Sequence, residues 1–176
     1  PPFGGKKKAF LLVLGVDEFV NADTIAQGLS AYAPQRVALE AGAVMHARVR
    51  ELAEQRRDFA FETTLASRSL APWLERLIAG GYRMHLVYLW LPSAELAVQR
   101  VRIRVQAGGH DVPEETVRRR YERGLRNFFG LYQRLAETWR MDDNSHETGC
   151  TIASGEGMAV LDLQMPDLWA EIVRRY

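Results

Sequence analysis

Arg83-Met-His-Leu-Val-Tyr-Leu-Trp90 is the stretch on which the reading of the fold turns. It is almost continuously apolar, rich in aromatic and branched side chains, and is bounded by Gly80-Gly81 before it and Pro92 after it. That is the pattern of a strand buried on both faces, as in a parallel sheet. Pro92-Ser93 then opens a helix. Upstream, Arg68–Ala79 reads as a helix holding Trp73 and Leu77 and stopped by the glycine pair. Phe59-Ala60-Phe61 reads as a second buried strand that delivers Glu62-Thr63-Thr64 at its carboxyl end. From Pro34 to Arg57 the apolar residues Val37, Ala41, Val44, Met45, Val49 and Leu52 keep a helical period.

Further out, Thr24–Leu29 makes a short helix closed by Ser30, preceded by the strand Glu18-Phe19-Val20 and by Asn21-Ala22-Asp23. Ala9–Leu14 is another apolar strand candidate, ending at Gly15, and residues 1–8 form a basic, flexible leader. On the carboxyl side a helix from Pro113 is expected to reach about Glu137. Trp139–Asp142 is the fifth strand, leading to Asp143-Asn144-Ser145. A hairpin of Thr151-Ile152 with Ala159–Leu163 precedes a final helix from Asp167 to Arg175. Strands alternating with helices predict right-handed crossovers and an α/β fold with a five-stranded parallel sheet flanked by helices. Ligands of such sheets sit beyond the carboxyl ends of the strands, where Asn21–Asp23, Glu62–Thr64 and Asp143–Ser145 should gather.

Composition bounds the function. The 176 residues, 47% of them hydrophobic, suit one domain with a sizeable core. The net charge of +1, from 23 basic and 22 acidic residues, gives no bulk attraction to nucleic acid or membrane. Cys150 is the only cysteine, so no intrachain disulfide forms, and a reducing, cytoplasmic compartment is expected. No apolar run approaches the roughly 18 residues of a membrane span. Phe10–Leu14 is too short for the core of a signal peptide.

The basic charge is local. Arg100, Arg102 and Arg104 precede Gly108-Gly109, and Arg118, Arg119, Arg120, Arg123 and Arg126 follow it, with His110 between. So many guanidinium groups repel unless carboxylates or an anion lie among them. One reading is a solvated, salt-bridged helix pair using Glu114, Glu115 and Glu122. The other is an anion-binding lid over about residues 100–126. Val117, Tyr121, Gly124 and Phe128 share one helical face with Arg120, which favours the lid.

At the strand ends Asp23 can accept a proton from a hydroxyl or help hold a metal ion, or it can simply cap the helix that follows. Glu62 closes an apolar strand and needs a partner, a ligand or an arginine. Thr63 and Thr64 can bind a ligand or cap a helix. His110 suits phosphate when protonated, or a turn beside Asp111. His46 and His85 have core or surface roles. His146 and Cys150 find no matching pair for a metal site, and no serine or cysteine triad is visible.

Taken together, Glu18-Phe-Val-Asn-Ala-Asp23, Phe59-Ala-Phe-Glu-Thr-Thr-Leu65, Tyr82–Pro92, Gly108-Gly-His-Asp-Val-Pro113 and Arg118-Arg-Arg-Tyr-Glu-Arg123 resemble the zeta-toxin-like family of P-loop kinases. The resemblance runs from about residue 16 to the carboxyl terminus. It implies a single P-loop-kinase-like domain that uses ATP or GTP with magnesium to phosphorylate a small-molecule hydroxyl. In characterised zeta toxins the acceptor is UDP-N-acetylglucosamine. It also implies Asp23 as the hydroxyl-activating base, and Asn21, Glu62, Thr64 and Arg68 as substrate residues. Arg104, His110, Arg119 and Arg120 become the phosphate-facing lid residues, and an antitoxin protein becomes a partner. Other outcomes of the same resemblance are a kinase for another hydroxyl, such as an antibiotic, or a nucleotide-incompetent binding module.

Two departures from the family accompany it. No G-x-x-x-x-G-K-[ST] motif is present. In one register Pro2–Phe10 is a decayed phosphate loop that keeps Lys7. In the other, which Phe10-Leu-Leu-Val-Leu14 favours, the first strand ends at Gly15 as the remnant of the loop. The chain then passes straight to Val16-Asp17-Glu18, too short a link to cross between parallel strands. Either the loop is deleted or a segment of the natural chain is absent from this sequence. Separately, Ala41-Gly42-Ala43 lacks the arginine that relatives carry after the glycine.

Overall fold

The computed structural model describes residues 16–106, 109, 111–146 and 149–176. The Ala9–Leu14 strand, the leader, Lys7, Gly15 and His110 lie outside them. The described residues up to Thr63, with those from Arg104 to Val112, form one compact unit. Thr64–Ile103 and Pro113–Tyr176 form another.

In the first unit β1 (Glu18–Val20) pairs in parallel with β2 (Phe59–Phe61), with Glu18 opposite Phe59 and Val20 opposite Phe61. The crossover is α1 (Ala22–Leu29), a 3-10 turn at Pro34–Val37 and α2 (Ala38–Glu54). Asn21, not Asp23, caps α1. Its backbone is extended and its side-chain oxygen accepts the Thr24 N–H at 3.0 Å. Asp23 is displaced into the first turn, where its charge still complements the helix dipole. Along α2 the buried stripe is Ala41, Met45, Val49, Leu52 and Ala53, whereas Val44 is 42% exposed. Glu18 accepts from Arg48 at 3.2 Å and lies 3.6 Å from Arg57, which ties β1 to α2 and to the residues just after it. The end of α2 closes through two backbone bonds, Arg56 N–H to Ala53 and Arg57 N–H to Leu52, with Arg56 left-handed at φ 57°. That closure ordinarily takes glycine at the left-handed position.

The second unit carries α3 (Ala71–Ala79), β3 (His85–Trp90), most of α4 (Ala94–Gln106) and α5 (Glu114–Asn127). A π-helical turn, Phe128–Tyr132, and a 3-10 turn, Gln133–Leu135, continue from α5. β4 (Thr138–Asp143), β5 (Cys150–Glu156), β6 (Ala159–Leu163) and α6 (Pro166–Arg175) complete it. The order is β3-β4-β5-β6, parallel between β3 and β4 and antiparallel beyond.

The single five-stranded parallel sheet is therefore corrected. Among the described residues there is a two-stranded parallel sheet and a four-stranded mixed one. The reason is local. The link from β4 to β5 is too short for a helical crossover, so β5 must run back along β4, and the hairpin extends the sheet antiparallel. The helix expected to begin at Arg68 starts at Ala71, with Pro72 in its first turn and Gly81 (φ 96°) just past its end. The helix expected to run unbroken to Glu137 instead widens at Phe128, which lets Phe128 and Tyr132 both enter the core. There Phe128 lies 5.1 Å from the Tyr88 ring and edge-on to Trp139 at 5.9 Å, and Trp139 stacks on Trp169 at 5.4 Å.

An arginine forced into the left-handed region carries strain of about 1 kcal/mol that glycine would not. Arg56→Gly should stabilise the protein by about 0.5 kcal/mol once the extra freedom of the unfolded glycine is set against it. Urea denaturation of both proteins checks this, and a lower midpoint for the variant would contradict it.

Candidate functional site

The parallel register of β1 and β2 brings Asn21 and Glu62 level, each one residue beyond the last paired position. The Glu62 N–H donates to the Val20 carbonyl at 3.4 Å and carries the ladder one step further. Asn21 then uses both ends of its amide. The oxygen caps α1, and the nitrogen donates to Glu62 Oε2 at 2.6 Å. Glu62 is solvent-exposed, not buried as its apolar strand suggests, and the partner seen for it is an amide. Asp23, exposed in the first turn of α1, accepts from Arg104 at 3.2 Å. Both members are about half exposed, 42% and 50%, so the pair is weak and open to exchange. Within this unit Asn21, Asp23, Glu62 and Arg104 are brought together as two linked pairs. Among the described residues no group of three or more His, Cys, Asp or Glu side chains can hold a metal ion.

In the second unit Thr64 and Arg68 are both exposed, in the irregular stretch before α3. The Thr64 hydroxyl accepts from the Ala66 N–H at 3.5 Å. The Thr64 carbonyl lies so near α5 that a Cβ on Gly124 would come within 2.5 Å of it, so only glycine permits this approach. Leu65, which follows, is left-handed at φ 55° and buried.

The arginines divide. Arg118 donates to Glu95 and to Glu114, the latter at 2.8 and 3.0 Å, and Arg102 donates to Glu114 at 2.9 Å. Arg100 donates to the carbonyls of Asn144 and of Ser145, the latter at 3.2 Å, fixing the loop after β4. Arg118 and Arg102 fit the salt-bridged helix pair, whereas Arg100 ties α4 to the loop after β4. Arg119 reaches the Thr116 hydroxyl at 3.3 Å. Arg120, Arg123 and Arg126 are exposed and form no ion pair among the described residues. Arg120 does not share the buried face. Val117, Gly124, Leu125 and Phe128 fill that face, and Arg120 is turned about 100° from its neighbour Tyr121.

Sequence reasoning passed over Asn127 and Tyr132. Asn127, 8% exposed, donates to the Leu65 carbonyl at 2.7 Å, and the buried Tyr132 hydroxyl donates to the Ser67 carbonyl. The one signal available was a polar Asn in a predominantly apolar run, Leu125 to Tyr132.

The chain belongs to the Zeta toxin family, which it matches over residues 21–148. That span includes Asn21, Asp23, Glu62, Thr64, Arg68, Arg104, Arg119 and Arg120. The mixed α/β architecture agrees with a P-loop-kinase-like family. An uncharacterized protein of Haemophilus influenzae is 26% identical over 102 residues, 58% of this chain and 73% of that protein. No solved structure matches the chain. No helix among the described residues is long and apolar enough to cross a membrane.

Hydrogen bonds from Arg118 hold the Glu95 and Glu114 carboxyls below their usual value of 4.5. A depressed folded value means a contribution that is present above the unfolded value and lost as the pH falls through the folded one. Glu114→Gln should therefore lower the melting temperature slightly near pH 7, and the difference from wild type should close as the carboxyl takes up its proton in acid. Melting curves across that range test it, and a gap that persists in acid would contradict it.

Proposed function

We propose that this chain is a nucleoside-triphosphate-dependent kinase that moves a phosphoryl group from ATP or GTP to a hydroxyl of a nucleotide sugar such as UDP-N-acetylglucosamine. The supporting observation is the convergence of Asn21–Glu62 and Asp23–Arg104 beyond the carboxyl ends of two parallel strands, in a chain of the Zeta toxin family. Asp23 takes the acceptor's proton as the hydroxyl oxygen bonds to the terminal phosphorus and the bond to the leaving diphosphate breaks. Arg104 exchanges the Asp23 carboxylate for the phosphoryl oxygens, which frees the base as charge develops on the transferred group. Asn21 orients the Glu62 carboxylate toward the acceptor hydroxyls. By the family resemblance Thr64 and Arg68 serve acceptor binding, and His110, Arg119 and Arg120 serve phosphate charge. Magnesium bound with the nucleotide would neutralise charge on the donor phosphates.

The absence of G-x-x-x-x-G-K-[ST] favours a second reading, a module that binds the acceptor without transferring phosphate. Two measurements separate them. The natural protein's intact mass should exceed 20.0 kDa by roughly 2 kDa if a loop and helix lie between Gly15 and Val16. That protein, given ATP or GTP with magnesium, should phosphorylate UDP-N-acetylglucosamine, and Asp23→Asn should slow transfer by about 10²- to 10⁴-fold. No transfer to any nucleotide sugar or other hydroxylated acceptor would overturn the kinase reading. Acceptor binding without magnesium-dependent ATP binding would establish the second.

A further inference from the structure

A buried asparagine whose amide is spent on a single strained carbonyl is an unusual use of a core position. Asn127 is 8% exposed and donates at 2.7 Å to the carbonyl of Leu65, which is left-handed, a conformation a leucine rarely adopts. Such strain persists only where the surroundings over-determine it. Three contacts do so here, all within the second unit. Gly124 admits the Thr64 carbonyl against α5, Asn127 holds the Leu65 carbonyl, and Tyr132 holds the Ser67 carbonyl.

The π-helical turn explains how two residues five apart reach one short stretch of chain. On an α-helix Asn127 and Tyr132 would point about 140° apart. Over Phe128–Tyr132 the bonding widens to i→i+5, which turns Tyr132 back toward the face that carries Asn127. The distortion of the helix and the strain at Leu65 are thus two sides of one arrangement. The side chain placed by this arrangement is Thr64, whose hydroxyl oxygen accepts from Ala66 N–H and keeps its own proton to donate outward.

We propose that Asn127 is a positioning residue for the acceptor. Through the Leu65 carbonyl it holds the Thr64–Ser67 turn, and so fixes the direction in which the Thr64 hydroxyl is presented. The inference rests on the reading of Thr64 as an acceptor-binding residue. It predicts that losing the Asn127 amide weakens the acceptor and leaves nucleotide affinity alone.

The experiment compares wild type, Asn127→Ala and the double variant Asn127→Ala/Leu65→Gly by calorimetric titration with UDP-N-acetylglucosamine. Melting temperature and peptide-level hydrogen exchange across residues 64–67 are followed in each. Asn127→Ala should lose about tenfold in acceptor affinity and exchange faster across 64–67. Leu65→Gly should then recover part of the affinity, because glycine adopts the left-handed turn without a clamp, while the melting temperature falls further through loss of the buried leucine. This opposite movement separates positioning from bulk stability. Affinity within about twofold of wild type in Asn127→Ala, or affinity that merely tracks melting temperature, overturns the proposal. Should Asn127→Ala not fold, Asn127→Ser, too short to reach the carbonyl, carries the same comparison. If wild type itself binds no acceptor, the reading of Thr64 falls. Hydrogen exchange still decides whether Asn127 holds the turn.

Discussion

The parallel pairing of β1 with β2 is the constraint on which the candidate chemistry depends. Parallel strands end on the same side, so whatever follows Val20 and Phe61 in the chain must emerge together. Asn21 turns that proximity into geometry, because its amide has a donor end and an acceptor end and each has one partner. Its oxygen fixes where α1 begins, which places Asp23 two residues on. Its nitrogen fixes the carboxylate of Glu62. An aspartate at position 21 could cap the helix but would repel Glu62, and a serine could cap without reaching it.

How far this was legible in the sequence follows from what each residue needs. The strand ends were readable because Phe59-Ala60-Phe61 is an apolar run stopped by Glu62 and the apolar run through Trp90 is closed by Pro92, and such a run needs no tertiary knowledge. The cap was readable in principle and was assigned two residues late, because Asp23 and Asn21 are both good caps and only backbone conformation separates them. The sheet's antiparallel half follows from link lengths. The hairpin itself was visible, but its pairing with β4 rests on a register that no local pattern states. Exposure was the hardest quantity. Arg120 is placed on an apolar helix face by periodicity and Glu62 at the closing end of an apolar strand, and both are exposed.

The π-helical turn lies further from sequence reach. Phe128-Phe129-Gly130-Leu131-Tyr132 has no proline and reads as ordinary helix. What widens it is a balance between one distorted turn of hydrogen bonds and the burial of Tyr132 and of Phe128, the latter against Tyr88 and Trp139. Full burial of a large aromatic side chain contributes on the order of 2 kcal/mol, which outweighs the loss of ideal bonding over a single turn.

The two kinds of arginine in the chain differ in what they can do, and the difference is one of partners rather than of charge. Arg118 sits between two carboxylates and Arg102 shares one of them, so an arriving anion would have to displace bonds already made. Arg104 has an exposed aspartate, and exposed pairs of this kind are worth at most about 1 kcal/mol. On the kinase reading proposed above, a phosphoryl group, which carries more charge than one carboxylate and can accept from a guanidinium at two oxygens, would compete with Asp23 for Arg104. On that reading the same exchange would release the carboxylate that meets the acceptor hydroxyl. The pairs around Arg118 are about as exposed, and their part is to join α4 to α5.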